Sequence, residues 1–378
     1  MAGPTGAAVR RVLPVVPPLG AEAVPAARRR EALDALAELR AAAAYLGDPD
    51  LFHRPRVRTR VHRNAAGATD PRRLAEQAFA AAGHRAAAGL AAVGSVRAEL
   101  LERPGRRPCF TPAALAELHG LLVTGDPGVP GGGGYRRAPA TVTWPDGSRF
   151  GIDVAPGRAL NGHVDRWYRW AIRTTSPALD AAALGMVRLL TIHPFPDANG
   201  RLARLVAQCD LVGAGLLPGL LLDLDGWFEA HREAYDRAVV AAADGDLPCW
   251  GGLFARAVTG AARHRTGTLG AYRQLVEAAT VQVDGEPVAA AVLAQLRSSP
   301  AVSVSRLRGR VPGDPRPALR RLEDAGILVA HPRLPGALVH PGLLALLDAP
   351  FGSTEAGPGA PPPGSPPGAG GPARGGPR

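Results

Sequence analysis

The chain has 378 residues, room for two or three domains of ordinary size, and 46% of them are hydrophobic. Its 44 basic against 33 acidic side chains leave a net charge of +11, and every basic side chain is Arg. A chain without Lys excludes a Walker-A lysine, a protein-kinase strand lysine and a pyridoxal Schiff base, so any grip on phosphate must use Arg, backbone N–H groups and metal.

Residues 1–27 are rich in Pro and Ala and are predicted to be extended. The short apolar run Val12–Val16 after Arg10 and Arg11 is broken by proline, no run of 18 apolar residues follows, and the expectation is a cytoplasmic protein with no membrane part. An N-terminal helical region is predicted over 28–108. Leu33, Leu36, Leu39 and Tyr45 have helical spacing, residues 47–66 form a basic connector, and a second helical stretch runs over about 71–101. Cys109, Cys209 and Cys249 have no metal-ligand spacing and read as buried, reduced thiols.

A core is predicted over 109–265. Thr111-Pro112 reads as an N-cap and first-turn proline, opening a helix with Leu115, Leu118, Leu121 and Leu122. The glycine-rich stretch Gly125–Gly134 reads as a connector. Ala140–Trp144 and Arg149–Val154 flank Pro145-Asp146-Gly147, a hairpin signal. Helical patterning then runs from about Asn161 to His264, with breaks at Ser176-Pro177, His193–Ala198, Gly213–Gly219 and Asp244–Pro248.

The stretch Thr191–Leu205 carries the chemistry. An apolar helix runs into His193, Pro194 and Pro196 stiffen a short loop, and Asp197 and Asn199 are N-cap types for a helix resuming near Gly200. Arg201 and Arg204, spaced i, i+3, place two guanidiniums where a helix already carries positive charge, unfavourable by about 0.3–1 kcal/mol each. A docked polyanion removes that conflict. Two Arg, helix N–H groups and a carboxylate suit a triphosphate with Mg²⁺, and His193 can act as general base at neutral pH.

This segment resembles the signature of the Fic/Doc family, His-x-Phe-x-(Asp/Glu)-(Ala/Gly)-Asn-(Gly/Lys)-Arg-x-x-Arg, and fits it at every defined position. By that resemblance His193 deprotonates a target hydroxyl, Phe195 anchors the loop, and Asp197 binds the Mg²⁺ of ATP. Asn199 and Gly200 hold the phosphates, Arg201 contacts the nearer ones and Arg204 the γ-phosphate. Ala198 stands where many adenylylating members have Gly. Leu118-His119, Gly134-Tyr135-Arg136 and the hairpin resemble the family's lead-in and target-binding flap, which implies that Thr141, Val142, Thr143 and Ile152 hold a target strand. Trp227–Tyr235 and Trp250 are similar to its later helices, with packing roles. Ser95 and Glu99 have the Ser/Thr-to-Glu spacing of the family's inhibitory helix, or are an ordinary surface-helix pair.

Residues 282–348 look like a winged helix: helices over Ala289–Leu296, Val304–Val311 and Arg316–Ala325, Gly326 as a stop, and a wing from Ile327–Ala330 and Ala337–His340. The outward Arg316, Arg320 and Arg321 suit DNA, and a docking or dimerisation module is the alternative. The Gly- and Pro-rich tail 351–378 is expected to be disordered. The expected protein is mainly α: a Fic-fold helical core with a β-hairpin flap and a winged helix. It would transfer AMP from Mg-ATP to a Ser, Thr or Tyr of a target protein and could form a homodimer. Alternatives are another Fic-type transfer (phosphorylation, another nucleotide donor, removal of AMP) or a DNA-binding regulator with a nucleotide-sensing site.

Overall fold

The computed structural model describes residues 10–47, 110–123, 132–143, 149–283, 285–299, 301–330, 336–348 and 351. The second helical stretch over 71–101, with Ser95 and Glu99, the hairpin turn and nearly all of the tail lie outside the described residues.

The described chain is mainly helical. Helix α1 spans Ala26–Ala43, α2 Pro112–Val123, α3 Arg158–Arg173, α4 Ala178–Ile192, α5 Asn199–Gly213, α6 Leu224–Ala230 and α7 Arg232–Ala243. The long α8 then runs over Leu247–Val281. Helix α2 starts as predicted, with Thr111 Oγ1 accepting from the Ala114 N–H at 3.1 Å. Helix α4 is buried along nearly its whole length and packs against α5, which encloses the motif in the core.

Two differences from the sequence expectation matter. First, helix was predicted to end near His264, yet α8 continues to Val281. Gly267 and Gly270 each cost about 1 kcal/mol relative to Ala. Arg265, Thr268, Leu269, Tyr272, Val276 and Ala279 nevertheless keep a buried helical spacing, and α8 packs along α1. Tertiary burial outweighs propensity here.

Second, the extended N-terminal stretch is docked. Strand β1 (Arg10–Val12) pairs in parallel with β3 (Arg149–Ile152), whose other edge pairs antiparallel with β2 (Thr141–Thr143). The chain then crosses α3 and α4: Val15 N–H donates to Thr191 Oγ1 at 3.0 Å and Trp170 Nε1 to the Pro18 carbonyl at 3.2 Å. Fully buried Asp180 accepts from the Ala23 and Val24 N–H groups at 2.8 Å and from Arg29 Nε at 2.9 Å. At Gly251 on α8 an added Cβ would lie 2.1 Å from the Ala23 carbonyl oxygen, so only glycine admits this approach.

Beyond α8 come α9 (Pro287–Ala294) with a 3₁₀ turn over Gln295–Arg297, strand β4 (Ala301–Ser303), α10 (Val304–Leu307), α11 (Pro315–Asp324), β5 (Val329–Ala330), β6 (Ala337–Val339) and α12 (Pro341–Asp348). The strands form a second sheet in the order β4-β6-β5, both pairings antiparallel. This unit is joined to the rest through Tyr272 Oη on the Leu296 carbonyl (2.5 Å) and Arg297 Nε on the Tyr45 carbonyl (2.7 Å). Cys209 is buried as expected, whereas Cys249 is exposed. No described helix is long and apolar enough to cross a membrane.

Candidate active site

Helix α4 ends at His193 and α5 begins at Asn199, so the loop 193–198 links two buried helices. His193 (φ 52°) and Ala198 (φ 60°) are the non-glycine residues with left-handed backbone among those described. That conformation costs a residue with a Cβ roughly 1–2 kcal/mol. It persists where surrounding contacts over-determine it, and such strain gathers at functional sites.

The contacts that impose it come from far along the chain. Phe195 is fully buried, its ring stacked on His119 at 3.9 Å and tilted against Tyr135 at 5.2 Å. His119 Nδ1 accepts from the Gly133 N–H at 3.0 Å, so its proton sits on Nε2, which donates to the Asp197 carbonyl at 3.1 Å. Burial, then the charge of Arg201, keeps that imidazole neutral. Buried Arg136 donates through Nε to the His193 carbonyl at 2.8 Å, through Nη1 to Ala138 at 2.9 Å and through Nη2 to Val154 at 2.5 Å. Its main-chain N–H donates to the Pro194 carbonyl at 2.9 Å. One guanidinium therefore ties the motif loop to the segments that enter and leave the hairpin.

Asn199 was expected as an N-cap type, and the structure uses its side chain otherwise. Its buried carboxamide accepts from the Phe195 N–H at 2.9 Å and donates to the Phe195 carbonyl at 2.8 Å, bracing the loop. Asp197 Oδ1 accepts from the Ala198 N–H at 2.6 Å, so it too departs from the predicted capping role. No side chain caps α5.

His193 is half-buried, with Nδ1 3.3 Å from the Leu190 carbonyl. Burial, helped by the Arg136 charge, pushes the imidazole down to about 4. It is neutral at physiological pH and can accept a proton. Gly200 and Arg201 occupy the first turn of α5, both half-buried. Arg204 is 15% exposed, and its Nε donates to Asp225 Oδ1 at 2.5 Å while Nη2 pairs with the same oxygen. Burial opposes its charge, but Asp225, with Tyr235 and Asp223, holds the guanidinium above its ordinary pKa.

Residues 109–210 match the Fic/DOC family model. This stretch is a Fic/DOC domain. No curated protein matches the chain. Among solved structures, a Fic family protein from Desulfovibrio desulfuricans G20 is similar at 19% identity, covering 84% of this chain and 88% of that one, with a TM-score of 0.39. Fic-1 (aa134–508) from C. elegans is similar at 18% identity over 67% and 74%, TM-score 0.44. A Fic-domain-containing signaling protein from Bacteroides thetaiotaomicron VPI-5482 is similar at 15% over 65% and 91%, TM-score 0.39.

Within the Fic/DOC domain His193, Asp197, Gly200, Arg201 and Arg204 lie along the loop and first turns of α5, with Arg204 beside Gly200, while Asn199 and Phe195 are buried. The hairpin residues divide. Thr141 is exposed, Val142 is half-buried and Thr143 pairs with Arg149 on the outer strand β2. Ile152 is buried in the middle strand, its N–H donating to the Ala140 carbonyl at 2.9 Å and both edges of β3 already paired. Strand addition from Ile152 is therefore blocked.

Proposed function

We propose that the Fic/DOC domain transfers AMP from Mg-ATP to a Ser, Thr or Tyr hydroxyl of a target protein. The observation that carries this reading is a neutral imidazole on a strained, braced loop that runs directly into a helix start bearing two arginines and no side-chain cap. In the proposed step His193 takes the hydroxyl proton, the oxygen bonds to the α-phosphorus, the bond to the bridging oxygen breaks, and pyrophosphate leaves. A nearby triphosphate raises the imidazole pKa toward neutrality, which strengthens the base when substrate is in place.

The residues present fit magnesium that arrives with nucleotide. Among the described residues no group of three or more His, Cys, Asp or Glu could hold a metal. Mg²⁺ on a triphosphate needs only one or two carboxylates besides phosphate and water, and Asp197 would supply one. When bound, the ion neutralises phosphate charge. Arg201, Arg204 and the first N–H groups of α5 do the rest by orienting the phosphates. The target would pair along the outer edge of β2, unpaired among the described residues, with Thr141 and Thr143 on that strand.

The test is transfer of label from α-labelled ATP with Mg²⁺ to proteins of a cell lysate. We expect wild-type labelling to fall about 10²–10⁴-fold in His193→Ala. Label arriving from γ-labelled ATP instead would assign phosphoryl transfer and overturn the proposal.

For residues 282–348 a second proposal is DNA binding. It is favoured by the helix–strand–helix–helix–strand–strand order and by exposed Arg316, Arg320 and Arg321 on α11. Binding that weakens steeply with salt would support it. Salt-insensitive self-association would point to docking instead.

A further inference from the structure

Arg204 lies four residues after Gly200, on the same face of α5, and long helical side chains lean back toward the N-terminus. Its guanidinium is held from behind. Asp225, in the first turn of α6, takes Nε and Nη2, and Nη1 is left on the side of the helix start. A Cβ added at Gly200 would lie 3.0 Å from Nη1 and 3.5 Å from Nη2, closer than a side chain anchored by Asp225 can easily yield. Asp225 is itself fixed in place: Asp223 caps α6 by accepting from the Gly226 N–H at 2.8 Å.

We infer that Asp225 is a positioning residue for Arg204 and that Gly200 leaves the space the guanidinium occupies. Together they aim one N–H face at the terminal phosphate of a bound nucleotide and make the site prefer ATP over ADP. This rests on the proposed nucleotide reading. It adds a device that the motif pattern does not contain, because Asp225 lies 21 residues beyond Arg204. It also gives Gly200 a steric reason independent of phosphate contact: a residue with a side chain there would compete with Arg204 for one volume. An ion pair placed between Arg204 and the phosphate would act in the opposite way, as a competitor whose removal tightens ATP binding. Nη1, which faces Gly200 while Nε and Nη2 face Asp225, argues for the supporting role.

The experiment measures affinity of the full chain for ATP and for ADP, each with Mg²⁺, in wild type, Asp225→Asn, Gly200→Ala and the double variant. Thermal unfolding serves as the control for folding. The expected result is that Asp225→Asn weakens ATP binding roughly tenfold with ADP nearly unchanged. Gly200→Ala should do the same without lowering the unfolding midpoint, because Ala favours helix. The double variant should be little worse than either single one, since both act through Arg204. A merely structural role for Asp225 would lower the midpoint without touching the ATP-to-ADP ratio. An unchanged or increased ratio in Asp225→Asn, or fully additive losses, overturns the inference while wild-type ATP binding stands. A wild type that binds neither nucleotide overturns the nucleotide reading and this inference with it.

Discussion

The arginines around the motif and those on α11 make similar bonds in different surroundings. Arg136 is buried among three carbonyls and Arg204 is 15% exposed on Asp225. On α11, Arg316 pairs with Asp314 at 3.3 Å with both side chains 52% exposed, and Arg321 pairs with Glu286 at 62% and 42% exposure. An exposed pair gains little over hydration and is screened by salt. A buried guanidinium has no water to fall back on, so removing it strands its acceptors. The same residue type therefore sets backbone geometry in one region and decorates a surface in the other.

Three measurements can break or sharpen that contrast. Arg136→Leu should have the largest effect: it leaves the His193, Ala138 and Val154 carbonyls without their donor, at a cost of about 3 kcal/mol or more in denaturant unfolding. A loss below about 1 kcal/mol would show that the loop does not depend on this clamp.

The second concerns pH. His193 is held at about 4 in the fold against its ordinary 6.5, by burial and Arg136, with the Leu190 carbonyl and Asp197 opposing. Between those values the unfolded chain binds more protons, so stability falls as pH drops from 6.5 toward 4. The share of His193 is at most about 1.4 kcal/mol per pH unit. Unfolding midpoints of wild type and His193→Gln from pH 7 to 5 should show a shallower acid decline in the variant. Equal slopes would contradict a buried, neutral imidazole. The smallest effect is expected on α11, where Arg321→Ala should change stability by less than about 0.5 kcal/mol.

The motif was legible because its residues are contiguous and their types conflict with an ordinary helix start: two Arg where positive charge is disfavoured, behind two prolines. The α2 cap at Thr111 and the hairpin strands were legible for a similar reason, since caps and turns are local chemistry. The bonds made by Arg136, His119 and Asp225 were not, although the resemblance had marked Leu118-His119 and Gly134-Tyr135-Arg136 as lead-in and flap. Each meets its partner across 57, 78 and 21 residues, and no periodicity marks such a pairing. Asn199 was misread because its side chain bonds to the residue four positions before it instead of forward into α5. Beta-strand β1 and the second half of α8 escaped for a third reason: both exist through burial against distant elements, while their own sequence favours extended chain or interrupted helix.

The docked N-terminal segment bears on how the protein can be shortened. The 109–210 stretch, excised alone, would strip Asp180 of the Ala23, Val24 and Arg29 donors that satisfy it inside α4. It would also remove Trp250, whose indole N–H donates to the Ala183 carbonyl at 2.7 Å, and bare one edge of β3. The losses at Asp180 and Ala183 fall on the helix that delivers His193. Any trimmed version meant to keep the motif in shape must carry residues 10–47 and 247–281 along with it.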